Sequence, residues 1–240
     1  MKQYLLQVSY CGDNFYGSQV QKEHRTIEKV LKESVSILLR IETSVRLLSR
    51  TDSGVHAIRA WGIFKSDVSL KEAAFLKRLN AVLPLDLKAI KLREVPLDYN
   101  PFEVAKSKTY LYLVYNHPYY FPPLWVGRAL YVKEKLDVDL MREAAHFLEG
   151  LHDFTPFSAS GSPRKGGVRL ISKVKVIKKG SLIFFYFRGE GFLYKMVRLM
   201  AGLLLEVGRG KHPPSIIGDI LGGKEYRKKV APPYGLYLIG

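Results

Sequence analysis

The amino-acid sequence predicts an α+β fold: two α/β halves with antiparallel sheets, residues 1–100 and 101–240. Segments that alternate every two residues and are rich in Val, Ile, Tyr and Phe are interspersed with segments whose apolar residues recur every three to four positions. They run in the order strand, helix, two strands, helix, strand as far as the proline-bounded residues 96–101, and a similar series follows. Two such halves would place a groove between them.

Five segments show the alternation of half-buried strands. They are residues 3–10, 57–64, 109–115, 168–177 and 182–188. Five others carry an apolar stripe at helical spacing. They are residues 27–38, 70–83, 138–148, 193–207 and 216–221. Thr26 and Asp137 precede the first and third helices as capping residues, because their side chains can accept hydrogen bonds from first-turn amides.

The charge is strongly positive. The 240 residues include 38 Lys and Arg against 22 Asp and Glu, a formal net charge of +16, and 47% are hydrophobic, enough for a packed core. The two halves differ: residues 1–100 carry 16 basic and 11 acidic side chains, and residues 101–240 carry 22 and 11. A folded protein with this surplus favours an anionic partner, with RNA, DNA and acidic membrane as the candidates.

A single cysteine, Cys11, excludes an intramolecular disulfide and a thiolate metal cluster, and it fits a reducing compartment. The N-terminal residues include only two consecutive leucines, and the apolar run 199–205 is bracketed by Arg198 and Glu206. We therefore expect neither export nor a membrane span, and a cytoplasmic location.

Several cofactor and metal motifs fail. Residues 208–211 lack the glycine spacing of a phosphate-binding P-loop, and His212 stands where its Ser or Thr would be. Residues 188–192 resemble the opening of an RNA-recognition strand, but Glu190 and the helical pattern that follows do not fit it. The six histidines show no paired metal-ligand spacing. We expect no cofactor and no metal, so carboxylates, tyrosine and arginine must supply any chemistry.

The stretch 156–167 is small and polar without periodicity, which predicts a loop. Arg164 and Lys165 near its end, and Arg169 just beyond, are candidates for binding phosphate. A solvent loop without a ligand is an equally good interpretation of Arg164 and Lys165, and Arg169 is the better phosphate candidate.

Residues 47–57, Leu-Leu-Ser-Arg-Thr-Asp-Ser-Gly-Val-His-Ala, carry the strongest signal for chemistry. A polar cluster between two apolar strands would expose a carboxylate at the mouth of a sheet. If the chain is extended there, Arg50 and Asp52 point to the same side, because they are two residues apart. The alternative is a hairpin turn in which Asp52 and Ser53 bond their own backbone.

Residues 50–57, Arg-Thr-Asp-x-Gly-Val-His-Ala, resemble the signature of the TruA family of tRNA pseudouridine synthases, with seven of eight positions matching. Further segments resemble the same family over nearly the whole chain; they are residues 10–19, 80–84, 108–112, 152–157, 191–198 and 232–238. Ser18 departs from the family, which usually has tryptophan there, and so does the loop at 161–167. The first departure bears on packing or RNA contact, and the second means that RNA contacts of the loop cannot be carried over.

The resemblance implies the pseudouridine synthase fold, with its two halves flanking a basic active-site cleft. It also implies isomerisation of uridine to pseudouridine at positions 38, 39 and 40 of the tRNA anticodon stem-loop. Asp52 is then the nucleophile that attacks uracil C6 or ribose C1′ of a flipped nucleotide, without a cofactor. The family is a homodimer in which one tRNA contacts both subunits.

The other implied site residues have physical roles beside the family ones. Arg198 would keep Asp52 ionised and oriented. Tyr110 would stack on the uracil and move a proton, and Arg50 would fill the space left by the flipped nucleotide. The alternatives are an interstrand salt bridge for Arg198, a core aromatic for Tyr110 and a surface cation for Arg50. Arg164, Lys165 and Arg169 would bind tRNA phosphates.

Two other functions remain open from the residues alone. A non-catalytic RNA-binding protein on the same scaffold would keep the basic surface and have no need of Asp52. A glycoside hydrolase would need a second carboxylate roughly 5–10 Å from Asp52, and no partner for it is evident in the sequence.

Overall fold

A computed structural model describes residues 1–101, 106–159 and 166–240. Over these residues the chain forms ten strands and five α-helices. In chain order they are β1 (Lys2–Tyr10), α1 (Ile27–Leu39), β2 (Val45–Leu47), β3 (His56–Ser66), α2 (Glu72–Val82), β4 (Leu87–Val95), β5 (Lys108–Asn116), β6 (Leu130–Val132), α3 (Val138–His146), β7 (Gly150–Asp153), β8 (Val168–Lys179), β9 (Leu182–Gly189), α4 (Met196–Gly208), α5 (Ile216–Leu221) and β10 (Leu236–Leu238). The predicted α+β class is confirmed.

The chain divides into two compact units. The first contains Met1–Lys106 and Tyr237–Gly240, and the second contains Ser107–Leu236. In the first unit the order strand, helix, two strands, helix, strand is as predicted. The second unit does not repeat that order, because three strands lie between its first long helix and the next.

The sheet of the first unit is built on β1, which pairs antiparallel with β3 on one edge and with β4 on the other. Two short strands share the second edge of β3. β2 pairs antiparallel with residues 62–64, whereas β10 runs parallel to the beginning of β3, with Tyr237 opposite His56. β10 therefore lies directly beside the first residues of β3, which follow Asp52 closely in the chain.

Helices α1 and α2 supply apolar residues to the core of the first unit. Ile27, Leu31 and Val35 recur at helical spacing on α1 and are fully buried, as the stripe predicted. The Thr26 hydroxyl accepts a hydrogen bond from the Lys29 amide, which confirms the predicted cap. Phe75 and Leu79 bury the corresponding face of α2.

The sheet of the second unit has the order β5, β9, β8, β7, with antiparallel pairing throughout and β6 added parallel to β5. Alternate residues of its strands form a buried layer that includes Tyr112, Val174, Phe185 and Phe187. Helices α3 and α4 pack against each other in the same unit. Asp137 caps α3 by accepting hydrogen bonds from the amides of residues 139 and 140, as predicted.

The fourth helix begins three residues later than its apolar pattern predicts, at Met196 instead of residue 193. Lys195 adopts a left-handed conformation, with φ of 58°, so the right-handed helix can begin only after it. Eleven of the thirteen residues of α4 are buried, which accounts for its nearly continuous apolar sequence. Among the residues described, no helix combines the length and apolar character that crossing a membrane requires.

Candidate active site

Asp52 lies in a loop of the first unit, residues 48–55, between β2 and β3. The Leu48 amide extends the β2–β3 ladder by donating to the Trp61 carbonyl at 2.8 Å. Further on, the Val55 amide donates to the Asp52 carbonyl at 3.2 Å, which closes a turn over residues 52–55. The turn begins at Asp52 and has Ser53 and Gly54 at its corner, and the Ser53 hydroxyl bonds the Phe15 carbonyl instead of its own backbone.

The residue before Asp52 is fixed from two sides. The Thr51 amide donates to the Ser18 hydroxyl at 2.9 Å, and the Ser18 amide donates to the Thr51 carbonyl at 3.1 Å. The Thr51 and Tyr10 hydroxyls are 2.8 Å apart. Burial raises the pKa of Tyr10, which keeps its phenol protonated and able to take part in that bond.

The segment that precedes α1 also contacts the loop beyond Asp52. The Phe15 carbonyl accepts hydrogen bonds from the Ser53 hydroxyl at 3.2 Å and the Gly54 amide at 3.4 Å. Gly17 has φ of 87°, and a Cβ built there would lie 2.8 Å from the Thr51 carbonyl oxygen. At Gly12 an added Cβ would lie 2.2 Å from the Val55 carbonyl oxygen. Both contacts require glycine, because any side chain would push the Asp52 loop away.

A charged contact supports this segment. The Arg25 guanidinium binds both oxygens of Asp86, at 2.8 and 2.9 Å, and its central carbon lies 3.9 Å above the Phe15 ring. The hydrogen bonds from Arg25 hold the pKa of the Asp86 carboxyl below its ordinary value. This contact joins residues 61 positions apart and fixes Phe15 beside the loop.

The imidazole of His56, the Cys11 thiol and an Asp13 carboxylate oxygen lie within 4.8 Å of one another. His56 is buried, and its Nδ1 accepts a hydrogen bond from the Gly12 amide at 3.0 Å. A neutral imidazole that accepts at Nδ1 carries its proton on Nε2, the nitrogen that faces Asp13 Oδ1 at 3.9 Å. That tautomer does not fit a metal ligand at Nε2. The ring instead stacks on Tyr237, with centroids 4.8 Å apart.

The second unit carries Tyr110 and Arg198. Tyr110 is the third residue of β5, opposite Phe187 of β9, and is 7% exposed. Its ring meets Phe192 edge-on, at a centroid distance of 5.1 Å. The strand ladder fixes the backbone of Tyr110 and the aromatic contact fixes its ring, so it is packed as a core aromatic would be.

Arg198 lies in the first turn of α4, so an interstrand salt bridge does not describe it. Its Nε donates to the Ala231 carbonyl at 2.8 Å, and the Ala231 amide donates to the Arg198 carbonyl at 3.0 Å. The Tyr112 hydroxyl donates to the adjacent Pro232 carbonyl at 3.0 Å. The segment at 231–232 therefore ties Arg198 to the strand that carries Tyr110.

The remaining substrate-binding candidates, Arg50 and the three phosphate candidates, differ in how they are placed. Arg50 is exposed at the start of the Asp52 loop. Arg169 is half-buried on β8, and its Nη1 donates to the carbonyls of Gly166 and Val168. Arg164 and Lys165 lie outside the described residues.

Three residues have contacts at or beside the Asp52 loop that the sequence did not predict. Ser18 was singled out only as a departure from the family pattern, and Tyr10 and His56 only as parts of matching motifs. The hydroxyl of Ser18 acts on a residue 33 positions away. A buried serine, tyrosine or histidine has no spacing rule that identifies its partner, so only the fold could reveal these contacts.

Comparison with known proteins identifies the class of enzyme. Residues 144–240 match a family model described as tRNA pseudouridine synthase. This match covers less than half of the chain, and the class it names, enzymes that act on tRNA, agrees with an α+β fold whose candidate chemistry rests on a carboxylate, a tyrosine and an arginine.

Similarity to individual proteins extends over the whole chain. The tRNA pseudouridine synthase A of Ruminiclostridium cellulolyticum is 37% identical over 242 residues, covering 100% of this chain and 98% of the relative. Those of Oceanobacillus iheyensis and Pseudothermotoga lettingae are 39% and 38% identical and cover 96% and 99% of this chain, with 92% and 98% of the relatives covered. The chain belongs to the tRNA pseudouridine synthase A family, that is, the TruA family, and is an isomerase acting on tRNA.

A solved structure of a Cbf5-Nop10-Gar1 complex contains a chain that aligns with 84% of this chain and 54% of its own length. The TM-score is 0.34 and the identity 15%, so this alignment adds nothing to the assignment, which rests on the relatives.

Proposed function

We propose that this protein isomerises uridine to pseudouridine at positions 38, 39 and 40 of the tRNA anticodon stem-loop, with Asp52 as the nucleophile. The observation that carries the proposal is the loop at 48–55. Its sequence matches the family signature, and the backbone on both sides of Asp52 is fixed by hydrogen bonds from Ser18 and Val55. A half-buried carboxylate on so constrained a turn suits a group that must meet a substrate atom in one orientation.

The reaction balances without a group donor. Asp52 attacks either uracil C6 or ribose C1′, and the bond between N1 and C1′ breaks. The uracil turns, C5 bonds to C1′, C5 loses its proton and N1 gains one. Whichever atom is attacked first, the ester between Asp52 and the substrate is cleaved before release. The product is an isomer of the substrate, so no oxidant, nucleotide or carrier is consumed.

Each remaining residue takes the role that its chemistry and the resemblance favour. A nucleophilic carboxylate must be ionised, and Arg198 supplies the cation that favours the ionised form of Asp52. Tyr110 stacks on the extruded uracil and its phenol moves the late proton. Arg50, which is exposed, takes the position vacated by the flipped base.

Affinity for tRNA comes from the basic surface. Arg169 and the two basic residues outside the described part of the chain, Arg164 and Lys165, contact phosphates, which position the tRNA without reading its sequence. Binding should therefore weaken steeply with salt, and a flat salt titration of tRNA affinity would contradict this part of the proposal. The resemblance further implies a homodimer, and sedimentation of the protein with and without tRNA tests this. The single cysteine favours a reducing compartment, so we propose a cytoplasmic location.

The test is an assay for pseudouridine on unmodified tRNA transcripts, with chelator and without nucleotide. Wild-type protein should form pseudouridine, and Asp52→Ala should form none while still binding tRNA. Chemical mapping of the product should place the modification at positions 38, 39 and 40. Equal product from both proteins would eliminate Asp52 as nucleophile, and tRNA binding without any product would favour the non-catalytic RNA-binding alternative.

A further inference from the structure

The direction of the Asp52 side chain is set by the peptide planes around it. A hydrogen bond to a plane's N–H or carbonyl restrains that plane but still lets it rotate about the bond, so a residue is held in one orientation only when bonds act on the planes on both sides of it. The planes before Thr51, between Thr51 and Asp52, and after Asp52 are each bonded in this structure. The first two of the three bonds involve one residue, Ser18.

Ser18 is suited to serve as a fixed reference. Its side chain is fully buried, and its carbonyl accepts a hydrogen bond from the Glu28 amide in the first turn of α1 at 3.0 Å. The Glu28 carboxylate in turn accepts from the Leu47 amide at 2.8 Å and the Val20 amide at 3.3 Å. The same helix end therefore holds the residues that follow Ser18 and the strand that leads into the Asp52 loop.

The two bonds between Ser18 and Thr51 differ in what they require. The one from the Ser18 amide to the Thr51 carbonyl needs only a backbone, and any residue except proline would make it. The one from the Thr51 amide to the Ser18 hydroxyl needs a side-chain acceptor at a fully buried position. Only this second bond depends on serine. Without it Thr51 keeps one of its two bonds, and the plane between Thr51 and Asp52 can rotate about the bond that remains.

We propose that Ser18 is a positioning residue for the reaction, whose hydroxyl holds the backbone of Thr51 so that the Asp52 carboxylate meets its substrate atom in the productive direction. The proposal rests on the assignment of Asp52 as nucleophile. Ser18 does not touch the substrate; it acts on the Asp52 carboxylate through Thr51. A displacement of about 1 Å at a reacting group can cost on the order of 100-fold in rate, so loss of this one hydrogen bond should be visible in kcat.

The experiment compares Ser18→Ala with Ser66→Ala, a matched control in the same unit. Ser66 is also buried, and its hydroxyl also accepts a backbone hydrogen bond, from the Val68 amide at 3.2 Å, but it lies at the far end of β3 from the Asp52 loop. Both variants lose one hydroxyl and one acceptor. Single-turnover rates, KM and tRNA affinity are measured for both, with thermal melts and with Asp52→Ala beside them.

We expect Ser18→Ala to lower kcat roughly tenfold or more with KM and tRNA affinity within about twofold of wild type. Ser66→Ala should lower the melting temperature by at least as much as Ser18→Ala does, and it should keep the kcat of the wild type. Equal kcat for the two serine variants, or a loss in Ser18→Ala that falls on KM and affinity instead, would overturn the positioning role. Full activity of Asp52→Ala would overturn the assignment of the nucleophile, and that outcome is separate from a failure of Ser18 alone.

Discussion

The loop that carries Asp52 and the strand that carries Tyr110 fix their candidate residues by different means. Around Asp52 the contacts are polar and come from another part of the chain: the hydroxyl and amide of Ser18 and the carbonyl of Phe15. Tyr110 lies within a ladder that already satisfies its backbone, and the edge-on contact with Phe192 orients its ring. The first region depends on hydrogen bonds and close backbone approach, and the second on strand pairing and burial.

This difference shows why the two regions tolerate substitution differently. A loop has no ladder, so each of its peptide planes must find its own partner, and one lost acceptor frees one plane. A strand residue keeps its backbone position even if its side chain is trimmed. Substitutions near Asp52 should therefore disturb geometry, whereas a conservative substitution at Tyr110 should disturb chemistry alone.

Tyr110→Phe tests the second half of this comparison, and it should have the largest effect among variants that keep the Asp52 carboxylate. The phenylalanine ring can still meet Phe192, but the hydroxyl that moves a proton is lost, so kcat should fall about 100-fold with little change in melting temperature. Single-turnover formation of pseudouridine measures the rate. Tyr115→Phe is the matched control, because it loses a hydroxyl from a buried tyrosine at the other end of the same strand. Comparable kcat for the two variants would remove Tyr110 from the chemistry.

Gly12→Ala tests the close approach beside the Asp52 loop. The added Cβ would lie 2.2 Å from the Val55 carbonyl oxygen, so the loop must move, and we expect a loss of about 2–3 kcal/mol in the free energy of unfolding as well as reduced kcat. Chemical denaturation gives the first quantity. Gly180→Ala is the control: it has positive φ but open space around it, and should cost about 1 kcal/mol and leave kcat unchanged. Identical costs would mean that the Val55 contact does not constrain the loop.

His56→Ala should have a smaller effect on stability. It removes the acceptor of the Gly12 amide and the ring stacked on Tyr237, and a buried amide left without its acceptor costs roughly 1–3 kcal/mol. Denaturation at neutral pH measures the change, and His56→Asn, which offers a carbonyl acceptor, should recover part of it. If the alanine variant is as stable as wild type, the hydrogen bond from Gly12 contributes nothing.

The ion pair between Arg25 and Asp86, beside Phe15, should contribute least to stability, and its contribution should depend on pH. The pKa of Asp86 is lowered mainly by the hydrogen bonds from Arg25, so the folded protein binds its proton less readily than the unfolded chain. The stabilisation is complete above the ordinary pKa of 3.8 and is lost as pH falls through the lower folded value. Both side chains are partly exposed, so it should be about 1 kcal/mol or less.

Denaturation of wild type and Arg25→Ala between pH 2 and 7 isolates this contribution. The difference between them should be largest near neutral pH and should shrink on acidification. A difference that stays constant over that range would mean that Arg25 acts only by packing on Phe15.

Local signals allowed much of the fold to be predicted from the sequence. The caps at Thr26 and Asp137 depend on residues within one helical turn, and the strands show their alternation directly, so both were predicted correctly. The start of α4 was not, because the left-handed conformation of Lys195 interrupts an apolar pattern that continues through it. The order of the second unit was also missed, because short strands such as β6 and β7 are too brief to show periodicity.

The sequence allowed candidate reactive residues to be named, and their roles stay predictions, whereas the contacts that support them were missed. Asp52 stood out because its signature is contiguous in the chain. The contact from Ser18 to Thr51 spans 33 positions and that from Arg25 to Asp86 spans 61, and neither leaves a pattern in the sequence. Supports of this kind depend on which segments the fold brings together, so they become visible only in three dimensions.

The single-turnover rate of Asp52→Asn on an unmodified tRNA transcript tests whether Asp52 is the nucleophile. Asparagine keeps the size of the side chain and leaves the backbone bonds to Ser18 and Val55 in place, but it removes the nucleophilic carboxylate. The variant should keep the melting temperature and the tRNA affinity of the wild type and should form no pseudouridine at any time point. A rate within about tenfold of wild type would contradict this assignment.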